Sequence, residues 1–149
     1  MKDPKRIDQF ICVVNKKIDP DRLINAVAHM SAGLVNLHCK NHTLDKMRFR
    51  DFFDKDKSPH PSISENGFII LRADNSNKLR MLRKQLLEEG IIFTDFTDVM
   101  IEGNHITQQE EFDTKTEEQL EYLGICFFMN IDKSRELTKQ FSIYQMKLK

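Results

Sequence analysis

The side chains in this sequence whose types suit acid–base or anion chemistry are Lys16, His29, Asp95 and Thr97, with Asn15, Asn25 and Arg72 near them in the pattern. A lysine and an aspartate at facing strand ends can hold a carboxylate or a phosphate ester and orient water, while an imidazole beside them serves as acid or base. On this reading Lys16, His29, Asp95 and Thr97 are the candidate catalytic groups, and Asn15, Asn25 and Arg72 are ligand-binding groups. The plainer alternative makes Lys16 and Asp95 solvated turn residues and His29 a helix-surface imidazole bonded to a neighbour.

Other clusters carry less. His38, Cys39 and His42 have metal-ligand types at close spacing and His60 could complete a shell, but structural zinc sites show two tight ligand pairs and His60 stands alone in a loop. No metal and no cofactor are expected. Asp54, Asp56, Ser58 and Glu65 mimic a calcium loop, yet Pro59 occupies the place that demands glycine. Cys12 and Cys126 lie inside apolar runs and read as small buried hydrophobes. Lys78, Arg80, Arg83 and Lys84 put charge on one helix that Glu88 and Glu89 close, which reads as a solvated face rather than a nucleic-acid contact.

The elements that must position these groups follow from periodicity. The stretch from Gly67 to Asp98 holds a strand (Phe68 to Leu71), a helix capped at Asn75 or Ser76 with Leu79, Leu82 and Leu86 inward, a left-handed stop at Gly90, and a second strand from Ile91 to Phe96. Such a crossover predicts that the two strands are parallel neighbours. Phe10 to Val14 and Leu123 to Met129 are further uninterrupted apolar strands. The spacing of Leu23, Val27, Met30 and Leu34 predicts a helix from Pro20 to Asn36, made thin by Ala26, Ala28, Ala32 and Gly33. Met47 to Phe53 alternates as a peripheral hairpin arm whose turn is Asp54 to Ser58. Thr107 with Glu110, and Thr116 with Gln119, are spaced as capping boxes. Asp132 to Lys139 reads as a short helix and Phe141 to Tyr144 as a terminal strand. Together these give an α/β fold, a three-layer α/β/α sandwich. In such sheets ligands bind beyond the strand carboxyl ends, here Asn15, Lys16, Arg72, Asp74, Asp95, Thr97, Asp98, Asn130 and Asp132.

The chain has 149 residues, with 23 Lys plus Arg against 23 Asp plus Glu. That length suits one domain over residues 1–149, and neutrality removes any long-range attraction to phosphate backbones. The odd cysteine count, Cys12, Cys39 and Cys126, fits a reducing compartment. The first apolar run is too short for a leader or a membrane span, so a cytoplasmic protein is expected, with no membrane partner.

The tracts FICVVN with NAVAHMSAGL, HPSI, FIILRADNSNKLRMLRK, FTDFTD, EYLGICFF and ELTKQFS, in this order, resemble the bacterial family called domain of unknown function 2000, over nearly the whole chain. That family looks like a distant branch of the peptidyl-tRNA hydrolase type 2 superfamily. The resemblance implies a sandwich with a mixed, mainly parallel central sheet. The hydrolase follows its first strand with a Gly- and Lys-rich segment, whereas this chain has Lys16-Lys17-Ile18-Asp19-Pro20-Asp21, without glycine. Where the hydrolase carries Asp-Ala-Gly-x-Thr, this chain has Asp95-Phe96-Thr97-Asp98. The missing glycines remove backbone freedom for close approach to a substrate. The resemblance therefore implies the fold without the ancestral activity, binding a small anionic ligand or a protein partner at the strand carboxyl ends. An active hydrolase on peptidyl-tRNA or another ester is one alternative. A structural or homo-oligomeric module, suggested by Phe49, Phe52 and Phe53, is another.

Overall fold

The computed structural model describes residues 7–146; positions 1–6, on which part of the no-leader reading rests, lie outside the described residues. The elements run β1 (Asp8–Asn15), α1 (Pro20–Lys40), β2 (Phe49–Phe53), β3 (Pro59–Ser64), β4 (Gly67–Ala73), α2 (Ser76–Glu88), β5 (Phe93–Thr97), α3 (His105–Phe112), β6 (Tyr122–Asn130), α4 (Ile131–Thr138) and β7 (Ser142–Ile143). β1 is buried from Phe10 to Asn15 and β6 from Tyr122 to Phe128. Strands so apolar must be covered on both faces, and they occupy the middle of the sheet, whose order is β5-β6-β1-β4-β7.

Two expectations change here. β1 pairs parallel with β4, but β6 pairs antiparallel with β1 and with β5, and β7 pairs antiparallel with β4. The sheet is mixed as expected, but not mainly parallel by its ladders. β4 and β5, read as parallel neighbours across α2, point the same way but are separated by β6 and β1. The half-polar FTDFT of β5 tolerates an edge, whereas the apolar β6 does not, and β6 takes the interior place. Reversal of β6 also carries Asn130 and Asp132 to the edge of the sheet opposite Asn15, so they do not share the rim assigned to them.

The layers follow from alternation. Phe10, Cys12 and Val14 face α1 through Leu23, Ala26, Met30 and Leu34. Ile11, Val13, Leu71, Ile125 and Phe127 face α2 and α4 through Leu79, Leu82, Leu86 and Leu137. α1 lies close because Gly124 is small: a Cβ there would sit 2.8 Å from Met30 Cε and 3.2 Å from the Val13 carbonyl oxygen. α1 also runs a turn beyond the expected Asn36, to Lys40, because His38 continues the buried stripe of Leu23, Ala26, Met30 and Leu34. α2 is capped by the Asn75 side chain, and Gly90 ends it at φ 66°. The capping box of α3 is Asn104 with Thr107, one register earlier than Thr107 with Glu110, because asparagine caps as well as threonine. Thr116 and Gln119 do form a box, around a single 3₁₀ turn.

β2 and β3 form a separate two-stranded arm, as its alternation suggested. Asn66 fixes its base. This asparagine is buried, donates through Nδ2 to the carbonyls of Asp8 and Lys46 at 3.2 Å each, and accepts the Arg48 N–H at 2.7 Å. Replacing it by alanine strands three backbone groups at once. Asn66→Ala is expected to lower unfolding stability by about 2 kcal/mol in urea denaturation, and unchanged stability would show that the arm is not held from its base.

Candidate functional site

The rim formed by the carboxyl ends of β1, β4 and β5 gathers several of the expected residues but uses them differently. Asn15 is buried; its Nδ2 donates to the Tyr122 carbonyl at 3.1 Å and its Oδ1 accepts the Lys17 N–H at 3.0 Å. It binds the start of β6 to the turn after β1. Lys16 reaches Asp74 at 2.8 Å, and both side chains are exposed. The ammonium beside Asp74 holds that carboxyl below the usual range. Arg72 stands opposite Val14 in the ladder and, by alternation with the inward Leu71 and Ala73, points to the α1 side of the sheet. Thr97 is buried and its hydroxyl has no hydrogen-bond partner among the described residues.

The sheet itself divides the remaining groups. Thr94 and Phe96 face α1: the Thr94 hydroxyl donates to the Met30 carbonyl at 2.8 Å, and the Phe96 ring lies 5.9 Å from that of His29. Asp95 therefore faces the other way, where Arg83 of α2 donates to it at 3.1 Å and stands 5.8 Å from the Phe93 ring. Burial pushes the Asp95 carboxyl up from its ordinary value, and Arg83 opposes that rise. Beside this pair, Arg80 contacts Glu117 at 3.1 Å and lies 5.4 Å from the Tyr122 ring, while the Tyr122 hydroxyl donates to Glu117 at 2.8 Å. Burial first, then Glu117, push the Tyr122 phenol far up. This Arg80, Arg83, Asp95, Glu117 and Tyr122 network ties α2 to β5 and to the 3₁₀ turn Glu117–Gln119. It holds the Asp95 carboxylate toward α2, whereas His29 lies on the α1 side.

On the α1 side a cleft of about 560 Å³ runs between α1, the free edge of β5 and α3. Asn25, His29, Thr94, His105 and Gln108 give it polar groups, Asp95 borders it at the strand edge, and Met100 and Phe112 give it an apolar floor. Asn25 and His29 were singled out by the sequence. His105, Gln108 and Thr94 were not, although the alternation of FTDFT was a signal that Thr94 and Asp95 look in opposite directions. Elsewhere, His38 is buried at the end of α1, Cys39 is exposed, and His60 bonds Asp54 at 3.0 Å in the arm. Among the described residues no three His, Cys, Asp or Glu side chains gather as a metal shell. Asp54 Oδ1 instead accepts the N–H groups of Asp56 and Ser58 at 3.0 Å and shapes the turn of the arm. No described helix is long and apolar enough to cross a membrane.

Fold and site thus define an α/β sandwich with a mixed sheet and an open polar cleft at its β5 edge. The family model described as "Protein of unknown function (DUF2000)" matches residues 8–145, and the chain belongs to that family. It is also similar to the structure of a protein of unknown function from Agrobacterium tumefaciens, at 13% identity and a TM-score of 0.76, over 93% of this chain and 98% of that one. At that identity the likeness shows the fold. No curated protein matches the sequence.

Because the folded Asp95 carboxyl titrates above its ordinary value, the folded chain holds its proton longer than the unfolded one. Its contribution to stability is thus greatest in acid and is lost as pH rises through the folded value. In carboxyl-carbon NMR titration Asp95 is expected to have a midpoint above 3.8 and Asp74 one below it. Arg83→Met should move the Asp95 midpoint further up, since Arg83 is what lowers it. A downward move would show that the pairing does not control the carboxylate.

Proposed function

We propose that this chain is a binding protein with a peptidyl-tRNA hydrolase type 2-like fold that does not carry out the hydrolysis, and that it takes a small anionic ligand in the cleft between α1, β5 and α3. The engagement of the Asp95 carboxylate by Arg83 carries this reading. General acid–base work needs its groups within about 3 Å of the same reacting atoms, yet the Asp95 carboxylate is engaged by Arg83 of α2, although Asp95 borders the cleft that His29 also lines. Of the other two candidates, Lys16 is paired with Asp74 and Thr97 is buried. What the cleft offers is hydrogen-bonding groups, the Asn25 amide and the imidazoles of His29 and His105, beside an apolar floor. That composition orients a ligand and supplies no activated nucleophile. A reducing, cytoplasmic setting goes with this reading, as the odd number of cysteines suggests.

A thermal-shift screen against metabolite anions is expected to find a ligand whose stabilisation grows with the logarithm of its concentration. Asn25→Ala combined with His29→Ala should abolish that shift, and Lys16→Ala should preserve it. Release of aminoacyl groups from a model peptidyl-tRNA, lost in Asp95→Asn, would replace this reading with an active hydrolase.

One observation favours a homo-oligomeric role in addition. Along β2 every residue is exposed, and Phe52 and Phe53 are 55% and 63% exposed beside Ile63 of β3. An arm so apolar is suited to packing against a second copy of the chain. Sedimentation equilibrium should report a dimer or larger species that Phe52→Ser with Phe53→Ser dissociates; a monomer at all concentrations would remove this role.

A further inference from the structure

The end of the sheet where β1 begins and β6 ends holds a second pocket of about 290 Å³. Its deepest polar group is His38, 7% exposed, in the last turn of α1. The loop that follows turns back at His42, a non-glycine residue with φ 56°, and brings Thr43 against the imidazole. The Thr43 hydroxyl oxygen lies 2.9 Å from His38 Nδ1 and 3.3 Å from the His38 carbonyl oxygen. With the hydroxyl donating to that carbonyl, Nδ1–H donates to the hydroxyl, and Nε2 carries the ring's lone pair. Nε2 is buried and has no partner among the described residues. Burial pushes the imidazole down from its ordinary value, which keeps Nε2 an acceptor.

The walls around it are charged in both senses. Asp8 and Asp45 bring two carboxylates, and Lys46 and Lys133 bring two ammonium groups. Among the described residues none of these four makes a salt bridge, although most carboxylates elsewhere on the rim and in the network do. Phe128 supplies the apolar part of the lining, since Met129 packs on the other face of the sheet, and the rings of Phe128 and His38 meet edge to face with centroids 5.8 Å apart. We infer that this pocket is a binding site for a free α-amino acid with an apolar side chain. The ligand's ammonium would donate to His38 Nε2 and face Asp8 and Asp45, its carboxylate would face Lys46 and Lys133, and its side chain would lie on Phe128. Unpaired charges of both signs around one buried acceptor match a zwitterion better than an anion, which would leave the two carboxylates opposed. The volume lies at the small end of ligand pockets and limits the guest to a compact molecule. The site is independent of the cleft lined by Asn25 and His29, so either can fail without the other.

Calorimetric titration of the full chain with L-leucine and L-methionine is expected to give saturable binding. Isocaproate and isoamylamine, each keeping one head group of leucine, should bind at least about tenfold more weakly. L-Leucine should move the His38 Nε2 nitrogen resonance. His38→Phe keeps a ring against Phe128 and should lower L-leucine affinity by about tenfold or more. Lys133→Ala, at an exposed position that folding does not depend on, should weaken L-leucine and isocaproate while leaving isoamylamine unchanged. The inference is overturned by absence of saturable binding for the proteinogenic L-amino acids at millimolar concentration, by equal affinity for the single-headed analogues, or by full affinity in His38→Phe. In that last case His38 is a core histidine whose N–H rests on the Phe128 face. Should His38→Phe fail to fold, the Lys133→Ala pattern decides alone.

Discussion

The direction of β6 is the constraint on which the arrangement of this molecule rests. It lies between β5 and β1 and runs against both. Had it run with them, the exits of β1, β4, β5 and β6 would lie on one rim, and Asn130 would stand beside Asn15. Reversed, it starts at the rim, where the Tyr122 carbonyl accepts from Asn15, and ends at the far edge, where Asn130 caps α4 by accepting the Lys133 N–H. α1 crosses the same face from the rim to the far edge and delivers His38 there. The chain therefore has polar constellations at both ends of its sheet instead of a single crevice.

Two buried asparagines hold those ends together. Asn15 joins β1 to β6 at the rim, and Asn66 joins β1, β4 and the arm at the far edge. Both donate through Nδ2 to backbone carbonyls far away in sequence, which is how a short polar side chain fixes strand order without regular pairing. The Arg80, Arg83, Asp95, Glu117 and Tyr122 network does the corresponding work between α2 and the sheet. There an ion pair in partial burial is a positioning device more than a source of stability, since desolvation offsets much of the attraction.

Periodicity made the layers legible. Leu79, Leu82 and Leu86 on one helix and Leu23, Met30 and Leu34 on another face unbroken apolar strands, and all proved buried. What pattern does not encode is strand direction and neighbourhood, because a strand buried on both faces has the same composition either way round. The same blindness affected the site. Alternation separates Thr94 and Phe96 from Asp95 and Thr97, yet only the structure says that α1, and with it His29, covers the first pair. The end of α1 was missed for a different reason. Its inward stripe closes on His38, and a histidine at a core position hides the periodicity that a leucine would have continued.

A histidine in that place has a cost that the fold does not need to bear. Thr43 satisfies one ring nitrogen and nothing described satisfies the other, whereas Asn15 and Asn66, equally buried, have their polar groups bonded. A stranded buried polar atom costs about 1–3 kcal/mol, and a leucine following Leu34 would extend the stripe without it. The other such atom, the Thr97 hydroxyl, stands at the opposite end of the sheet. Orphaned atoms in the middle of a sheet would read as packing defects. Placed one at each polar end, His38 beside a pocket and Thr97 at the strand exits, they mark where stability has been given up.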